Sequence, residues 1–401
     1  MIGRRGPQNG KRALEFPDVG ESDEPLLVVE NLHTSFRTGR GTVHAVDGVS
    51  LTVAAGTTLG IVGESGSGKT VLARSIMGLL PPRDVIRSGT VHFAGHDLTA
   101  MDDKQLRQVW GAELSMIFQD PMTALNPVKR IGKQITESLR LHMGMDGKEA
   151  RANAIELLRQ VGIPSPEVRV RWYPFQLSGG MRQRVMIAIA LACAPRLVMA
   201  DEPTTGLDVT VQAQILDLLA ELQRERHMAV ILVTHDLGVV ATRADDIIVM
   251  YAGQIVERAP THTLFRDTKM PYTRALMDSI PRLADPSGVR LDAIAGRPPD
   301  LIHPPEGCRF APRCHFAQDK CREQEPPLRT VGSPDHLFAC WFPLVDGVST
   351  APAVRVTIGQ GDDRAPVDPP PADQPADQAP EPDDVTGDPT PGETPDAETT
   401  P

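Results

Sequence analysis

Apolar positions in this chain change their spacing several times, and each change marks an element. Leu26-Leu27-Val28-Val29 is a short apolar run that reads as a strand, and Ala45 to Val53 alternates apolar and polar residues as a second. Thr58-Leu59-Gly60-Ile61-Val62 runs unbroken into glycines, the pattern of a buried strand that feeds a loop. Val71 to Leu80 reads as a helix stopped by Pro81-Pro82. From about Asp102 to Val170 the pattern is mostly helical. Within it, Ala150 to Val161 places Ala154, Leu157, Leu158 and Val161 at helical spacing, with Gly162 and Pro164 as stops. Strands return at Leu197–Ala200, Ala229–Val233 and Ile247–Met250, and a helix between the first two carries Ile215, Leu218, Leu219 and Leu222 on one face. Strand–helix–strand alternation predicts an α/β fold with a mostly parallel sheet covered by helices.

The flanks differ. Residues 1–24 are polar and rich in Gly and Pro, and are expected to be flexible. After about Phe265 proline becomes frequent and cysteines gather, so 266–346 reads as a small C-terminal domain with a four-Cys cluster. Residues 347–401 are Pro, Asp, Ala and Thr, a composition expected to remain a disordered acidic tail. No internal repeat is visible.

Charge changes the picture mainly by its location. Formal net charge is −11, yet twelve acidic residues and one Arg lie between Asp362 and Pro401, so the remainder is near neutral. No basic surplus points to duplex nucleic acid, and aromatics at 4% leave little for stacking on single strands, so no nucleic-acid partner is expected. Arg4, Arg5, Lys11 and Arg12 are not followed by an apolar stretch, so no secretory signal is read. The longest apolar run, Val185 to Pro195, is about half of the roughly 20 residues a membrane span needs. The chain is therefore expected in the cytoplasm, where five Cys argue for ligands or buried thiols rather than disulfides.

Gly63-Glu64-Ser65-Gly66-Ser67-Gly68-Lys69-Thr70 fits the phosphate-loop pattern in full, with an apolar strand before it and a helix after it. The glycines let backbone N–H groups face the phosphates of a nucleotide. Lys69 supplies a point charge to the β- and γ-phosphates, and Thr70 offers a hydroxyl to Mg²⁺. Leu197 to Glu202 is an apolar strand ending in two acids. Asp201 is the candidate Mg²⁺ ligand and Glu202 the candidate base for the attacking water. Leu177-Ser178-Gly179-Gly180-Met181-Arg182-Gln183 lies between these two motifs.

Phosphate loop, LSGGMRQ segment and acidic pair, in that order, resemble the ATP-binding cassette (ABC) family of P-loop NTPases. The resemblance implies that Gln119, in Phe118-Gln119-Asp120-Pro121, contacts Mg²⁺ or the water. It implies that Ser178, Gly179 and Gly180 bind the γ-phosphate held by an opposite subunit, and that Asp208 lies at the dimer seam. His235 would touch the γ-phosphate and Phe36 would face adenine. Three strings narrow the branch toward oligopeptide and dipeptide importer ATPases. They are Phe118 to Pro127, Met270-Pro271-Tyr272-Thr273-Arg274-Ala275-Leu276 with Ser279-Ile280-Pro281, and Gly307-Cys308 with Pro312-Arg313-Cys314.

Cys308, Cys314, Cys321 and Cys340 are separated by five, six and eighteen residues. Structural zinc sites usually contain closer pairs, of about two to four intervening residues, so the spacing suits a larger cluster; zinc and free or disulfide-forming thiols remain the alternatives. Resembling transporters carry a [4Fe–4S] centre there. Cys193 sits in an apolar run and reads as a buried small residue.

These expectations converge on an ATPase subunit powering peptide import, on the cytoplasmic face of the cell membrane. Its cassette would span 25–265, with a helical subdomain at about 120–175 docking the permease. A second, related ATPase subunit, two permease subunits and, indirectly, an extracytoplasmic peptide-binding protein would be the partners. The rival readings are the same role for nickel or another small solute, a soluble ABC-type DNA-repair ATPase, and a ribosome-acting or scaffold cassette.

Overall fold

The structure is a computed structural model that describes residues 24–280, 294–330 and 332–351. Most of the segment 1–24, the acidic tail beyond residue 351, and Pro281 of the quoted extension lie outside the described residues. Every described residue belongs to one compact unit, Met1–Val354.

Two sheets share the core. The first is antiparallel and four-stranded, in the order β2-β1-β4-β5: β1 (Leu27–Thr38), β2 (Gly41–Val53), β4 (Val85–Phe93) and β5 (His96–Asp97). The second has eight strands. Its centre is parallel, with β3 (Thr58–Val62) between β8 (Ala229–Thr234) and β9 (Asp246–Tyr251), then β7 (Leu197–Asp201) and β6 (Leu114–Ile117) outward from β8. β10 (Gln254–Pro260), β12 (Leu337–Phe338) and β11 (Arg329–Thr330) extend the β9 edge antiparallel. β3, β7 and β8 are buried along their whole length, which is why they read as continuous apolar runs rather than alternating ones.

The sequence expectations need three corrections. Leu114–Ile117 is a strand inside the stretch expected to be helical. The helix after the phosphate loop, α1 (Lys69–Met77), begins two residues earlier than its apolar pattern and ends at Gly78 in the left-handed conformation. The sheet system also contains a separate antiparallel layer, because β1 pairs with β2 on one edge and with β4 on the other.

Helices fill the remaining space: α2 (Asp103–Val109), α3 (Pro121–Ala124), α4 (Ile131–Met143), α5 (Gly147–Gln160) and α6 (Pro166–Arg169). α4 buries Ile131, Ile135 and Leu139 at four-residue spacing, and α5 answers with Ala150, Ala154, Leu157 and Leu158. α7 (Gly179–Ala190) and α8 (Val209–Arg226) flank β7; their N-caps are Ser178 and Asp208, whose side-chain oxygens accept the N–H of Met181 and Val211. α9 (Leu237–Ala241), α10 (Thr261–Arg266) and α11 (Pro271–Asp278) follow. Among the described residues no helix is long and apolar enough to cross a membrane.

The C-terminal region docks through a buried carboxylate. Glu257 is fully buried on β10 and accepts the N–H groups of Lys269 (2.6 Å) and Met270 (3.2 Å), while its Oε1 lies 2.8 Å from His336 Nε2.

Candidate functional site

The phosphate loop is anchored at both ends by steric fit. A Cβ at Gly63 would lie 2.2 Å from the Met250 carbonyl oxygen, and one at Gly68 (φ 101°) 2.2 Å from that of Ala45. Only glycine lets the backbone come this close at both points. Between them Ser65 and Gly66 are exposed and Ser67 is buried. The Lys69 ammonium is buried and donates to the carbonyls of Gly63 (2.8 Å) and Glu64 (2.9 Å). Burial lowers its pKa, opposed by the charges of Glu202, Asp201 and Glu64.

Strand β7 delivers the acids to the same place. Thr70 Oγ1 donates to Asp201 Oδ1 at 2.9 Å. Asp201 is fully buried, its Oδ2 has no partner, and desolvation raises its pKa. An orphaned carboxylate oxygen beside a threonine hydroxyl fits a hard cation such as Mg²⁺, which takes oxygen ligands.

Glu202 follows in the left-handed region (φ 46°), an uncommon and strained conformation for a non-glycine residue. Its carboxylate is held by three groups. Gln119 Nε2 donates to Oε2 at 2.9 Å, Thr205 Oγ1 donates to the same oxygen at 2.9 Å, and His235 Nδ1 lies 3.3 Å from Oε1. Residues from the ends of β6, β7 and β8 thus meet at one acid, within electrostatic reach of the Lys69 ammonium. Such an arrangement can orient a water, take its proton and neutralise phosphoryl charge.

Other expected residues lie apart. Ser178 and Gly179 are exposed at the start of α7, and Asp208 is exposed at the start of α8. Phe36 is half-buried on β1, paired with Val43 and Val85.

Cys308, Cys314, Cys321 and Cys340 come together: Cys308 N–H donates to the Cys321 carbonyl (2.7 Å), and the thiols lie within electrostatic reach of one another. Burial pushes Cys314 up to about 11 and Cys340 up to about 12, and raises Cys308. Backbone N–H groups oppose this: those of Phe310 and Ala311 toward Cys308, of Phe316 toward Cys314, and of Phe342 toward Cys340. Even so, among the described residues no group of three or more His, Cys, Asp or Glu is arranged to hold a metal ion. Soft sulfurs with N–H groups aimed at three of them are the donor type of iron–sulfur sites, but their arrangement here is not that of a metal site. Cys193, as expected, is buried, and its thiol is pushed up to about 12.

Sequence reasoning did not find three neighbours of the site. Thr205 stands three residues after Glu202. Arg313 forks onto the Glu64 carboxylate (2.6 and 2.9 Å), and Tyr272 Oη accepts the Glu64 N–H (2.9 Å). Arg313 and Tyr272 both fall within strings singled out above, but pairs 249 and 208 residues apart leave no local signal.

Comparison with known proteins finds relatives of this chain. Residues 46–205 match the ABC transporter family model, and residues 256–321 match that of the oligopeptide/dipeptide transporter C-terminal region. The chain is 50% identical over 320 residues to the dipeptide transport ATP-binding protein DppD of Bacillus subtilis, covering 80% of this chain and 95% of that one. It is 49% identical over 332 residues to the oligopeptide transport ATP-binding protein OppD of the same organism, covering 82% and 92%. Among solved structures it resembles the dimeric ATP-binding cassette MJ0796 bound to ADP and Pi, with 29% identity and a TM-score of 0.53 over 59% of this chain and 98% of that one.

Proposed function

This chain belongs to the dipeptide and oligopeptide transport ATP-binding proteins of the ABC transporter family, and on that premise we propose how it powers peptide import. It is an ATPase. The observation that carries the peptide reading is the match at half identity over nearly the full length of DppD and OppD, C-terminal region included. The same match favours import over a soluble repair ATPase or a ribosome-acting cassette. The division into a cassette at 25–265 and a C-terminal domain at 266–346 belongs to this proposal and is supported by the two family matches.

ATP binds with its phosphates on the loop 63–70 and its adenine against Phe36. Lys69 leaves its carbonyl partners for the β- and γ-phosphates. Thr70, Asp201 and Gln119 would hold Mg²⁺, which supplies further charge neutralisation. Glu202, oriented by Gln119, Thr205 and His235, takes the proton of the attacking water. Ser178, Gly179 and Gly180 of a second, related subunit close on the γ-phosphate, with Asp208 at the seam. Most of the catalysis is positioning and electrostatics.

The subunit works on the cytoplasmic face of the membrane beneath two permease subunits, which an extracytoplasmic binding protein supplies with peptide. Exposed apolar residues of the helical region, Met122, Val128, Leu141, Val168 and Phe175, form the docking surface. Cys308, Cys314, Cys321 and Cys340 would hold a [4Fe–4S] cluster as a structural or regulatory centre.

One purification tests these readings. Extraction in mild detergent without oxygen should recover two integral membrane proteins, a second ATP-binding subunit, and a brown colour with bound iron. Recovery of nucleic acid in place of membrane partners would overturn the importer reading, and colourless, iron-free protein would overturn the cluster.

A further inference from the structure

The turn that carries Cys308 and Cys314 also carries two buried arginines, and one of them, Arg313, reaches the phosphate loop. Arg309 donates to the Ala252 carbonyl (2.5 Å) and pairs with Asp47 on β2. Arg313 uses all five of its N–H donors. Nε donates to Ala295 O (2.9 Å), Nη1 to Glu64 Oε2 (2.6 Å) and Tyr251 Oη (3.2 Å), and Nη2 to Glu64 Oε1 (2.9 Å) and Ile294 O (3.1 Å). Its side chain is 3% exposed, and its guanidinium lies 5.8 Å from the centroid of the Tyr251 ring. Tyr251 in turn packs against Tyr272 and Phe310, with ring centroids 4.5 and 5.3 Å away.

Glu64 is where these contacts end. Gly63 and Gly68 are locked against backbone carbonyls, so the phosphate loop can adjust only between them. Within that span Glu64 is gripped three ways: its N–H by Tyr272, its carboxylate by Arg313, its carbonyl by Lys69. Arg313 is placed by the cysteine-bearing turn, since its N–H donates to Phe310 O (2.9 Å) and Cys314 N–H donates to Ala311 O (3.3 Å).

We propose that Arg313 is a positioning residue for the phosphate loop, transmitting the conformation of the cysteine-bearing turn to Glu64 and thereby setting the affinity for ATP. The inference rests on the reading that this loop binds ATP. It makes the state of the four thiols an input to nucleotide binding. A bidentate fork is required for this, because a point charge would leave the carboxylate free to pivot.

The test uses the full-length chain, a fluorescent ATP analogue for equilibrium binding, and steady-state hydrolysis. Arg313→Ala should weaken binding and raise KM together by roughly tenfold, with kcat at saturating ATP changed less than about twofold. Arg313→Lys should recover only part of the loss. Glu64→Gln should weaken binding less than Arg313→Ala does, and the double variant should be no worse than Arg313→Ala alone. Cys314→Ser should weaken binding in the wild-type background and add nothing in the Arg313→Ala background. Wild-type affinity in Arg313→Ala, additive losses in either pair, or a fall in kcat with KM unchanged would overturn the proposal. Should Arg313→Ala not fold, as its thermal midpoint would reveal, Arg313→Lys and Glu64→Gln form the same cycle. Lys69→Ala is the control: if it binds the analogue as wild type does, the ATP reading itself fails.

Discussion

On the phosphate side of the nucleotide site, Lys69, Thr70, Gln119, Asp201, Glu202, Thr205 and His235 come from distant parts of one chain, and hydrogen bonds already join most of them. On the signature side, the Ser178 hydroxyl accepts the Met181 N–H of its own helix (3.4 Å), and Arg182 Nε donates to the nearby Pro174 carbonyl (2.8 Å). Among the described residues no hydrogen bond or ion pair ties Ser178, Gly179 or Gly180 to the phosphate side. One half of the candidate site is joined by hydrogen bonds within the chain; the other is an exposed helix N-terminus, which the proposed function pairs with a γ-phosphate held by a second subunit. The difference teaches where the control of turnover lies. In the mechanism proposed above, the catalytic geometry is built into the single chain and a second chain supplies the remaining electrostatic component.

The sharpest way to break that comparison is to disable the organised half without disturbing binding. Glu202→Gln keeps the side-chain shape and a hydrogen-bonding oxygen while removing the base. Turnover should fall by about 10³-fold, within the range of general-base catalysis, with ATP affinity within about twofold of wild type. Single-turnover hydrolysis together with nucleotide titration measures both. Brisk hydrolysis by the variant would mean that the three groups around Glu202 orient it for some other purpose.

The same contrast shows what the sequence could reveal. Phosphate loop, acidic pair and signature were legible because backbone–phosphate chemistry demands fixed residue types at fixed spacing, and β3, β7 and β8 were legible because full burial demands unbroken apolar runs. Leu114–Ile117 was not, because four residues are too few for a period and helical segments surround them. The antiparallel layer stayed hidden because pairing of β1 with β4 is set by distant partners. The convergence of Gln119 and His235 on Glu202 could be expected only from family resemblance, and the grip of Arg313 and Tyr272 on Glu64 not even from that. Chemistry that a ligand imposes is written locally; chemistry that tertiary contacts impose is not.

Breaking the other half should give the next largest effect. In Ser178→Arg a bulky cation replaces an exposed residue whose hydroxyl caps α7. Loss of an oxyanion-type donor set typically costs about 10²-fold in turnover, and that is the fall expected here. Because the residue has no bond to its own phosphate side, ATP affinity of the isolated subunit should stay within about twofold. A variant that loses ATP binding as well would place the signature in the same subunit's site and remove the distinction between the halves.

The smallest effect sharpens the comparison most, because it asks how far the organised half depends on its individual contacts. Thr205 Oγ1 and Gln119 Nε2 share Glu202 Oε2, so Thr205→Ala removes one of two donors to that oxygen and leaves the other. One hydrogen bond of this kind is worth about 0.5–1.5 kcal/mol, or roughly 2- to 12-fold. The loss should appear in kcat, with KM for ATP unchanged, since among the described residues Thr205 has no hydrogen bond to the phosphate loop. Combined with Ser178→Arg, the two losses should multiply, because one acts on the base within a chain and the other on charge supplied across the seam. A combined loss no larger than that of Ser178→Arg alone would mean that the second chain, not the contacts within the first, brings Glu202 into position.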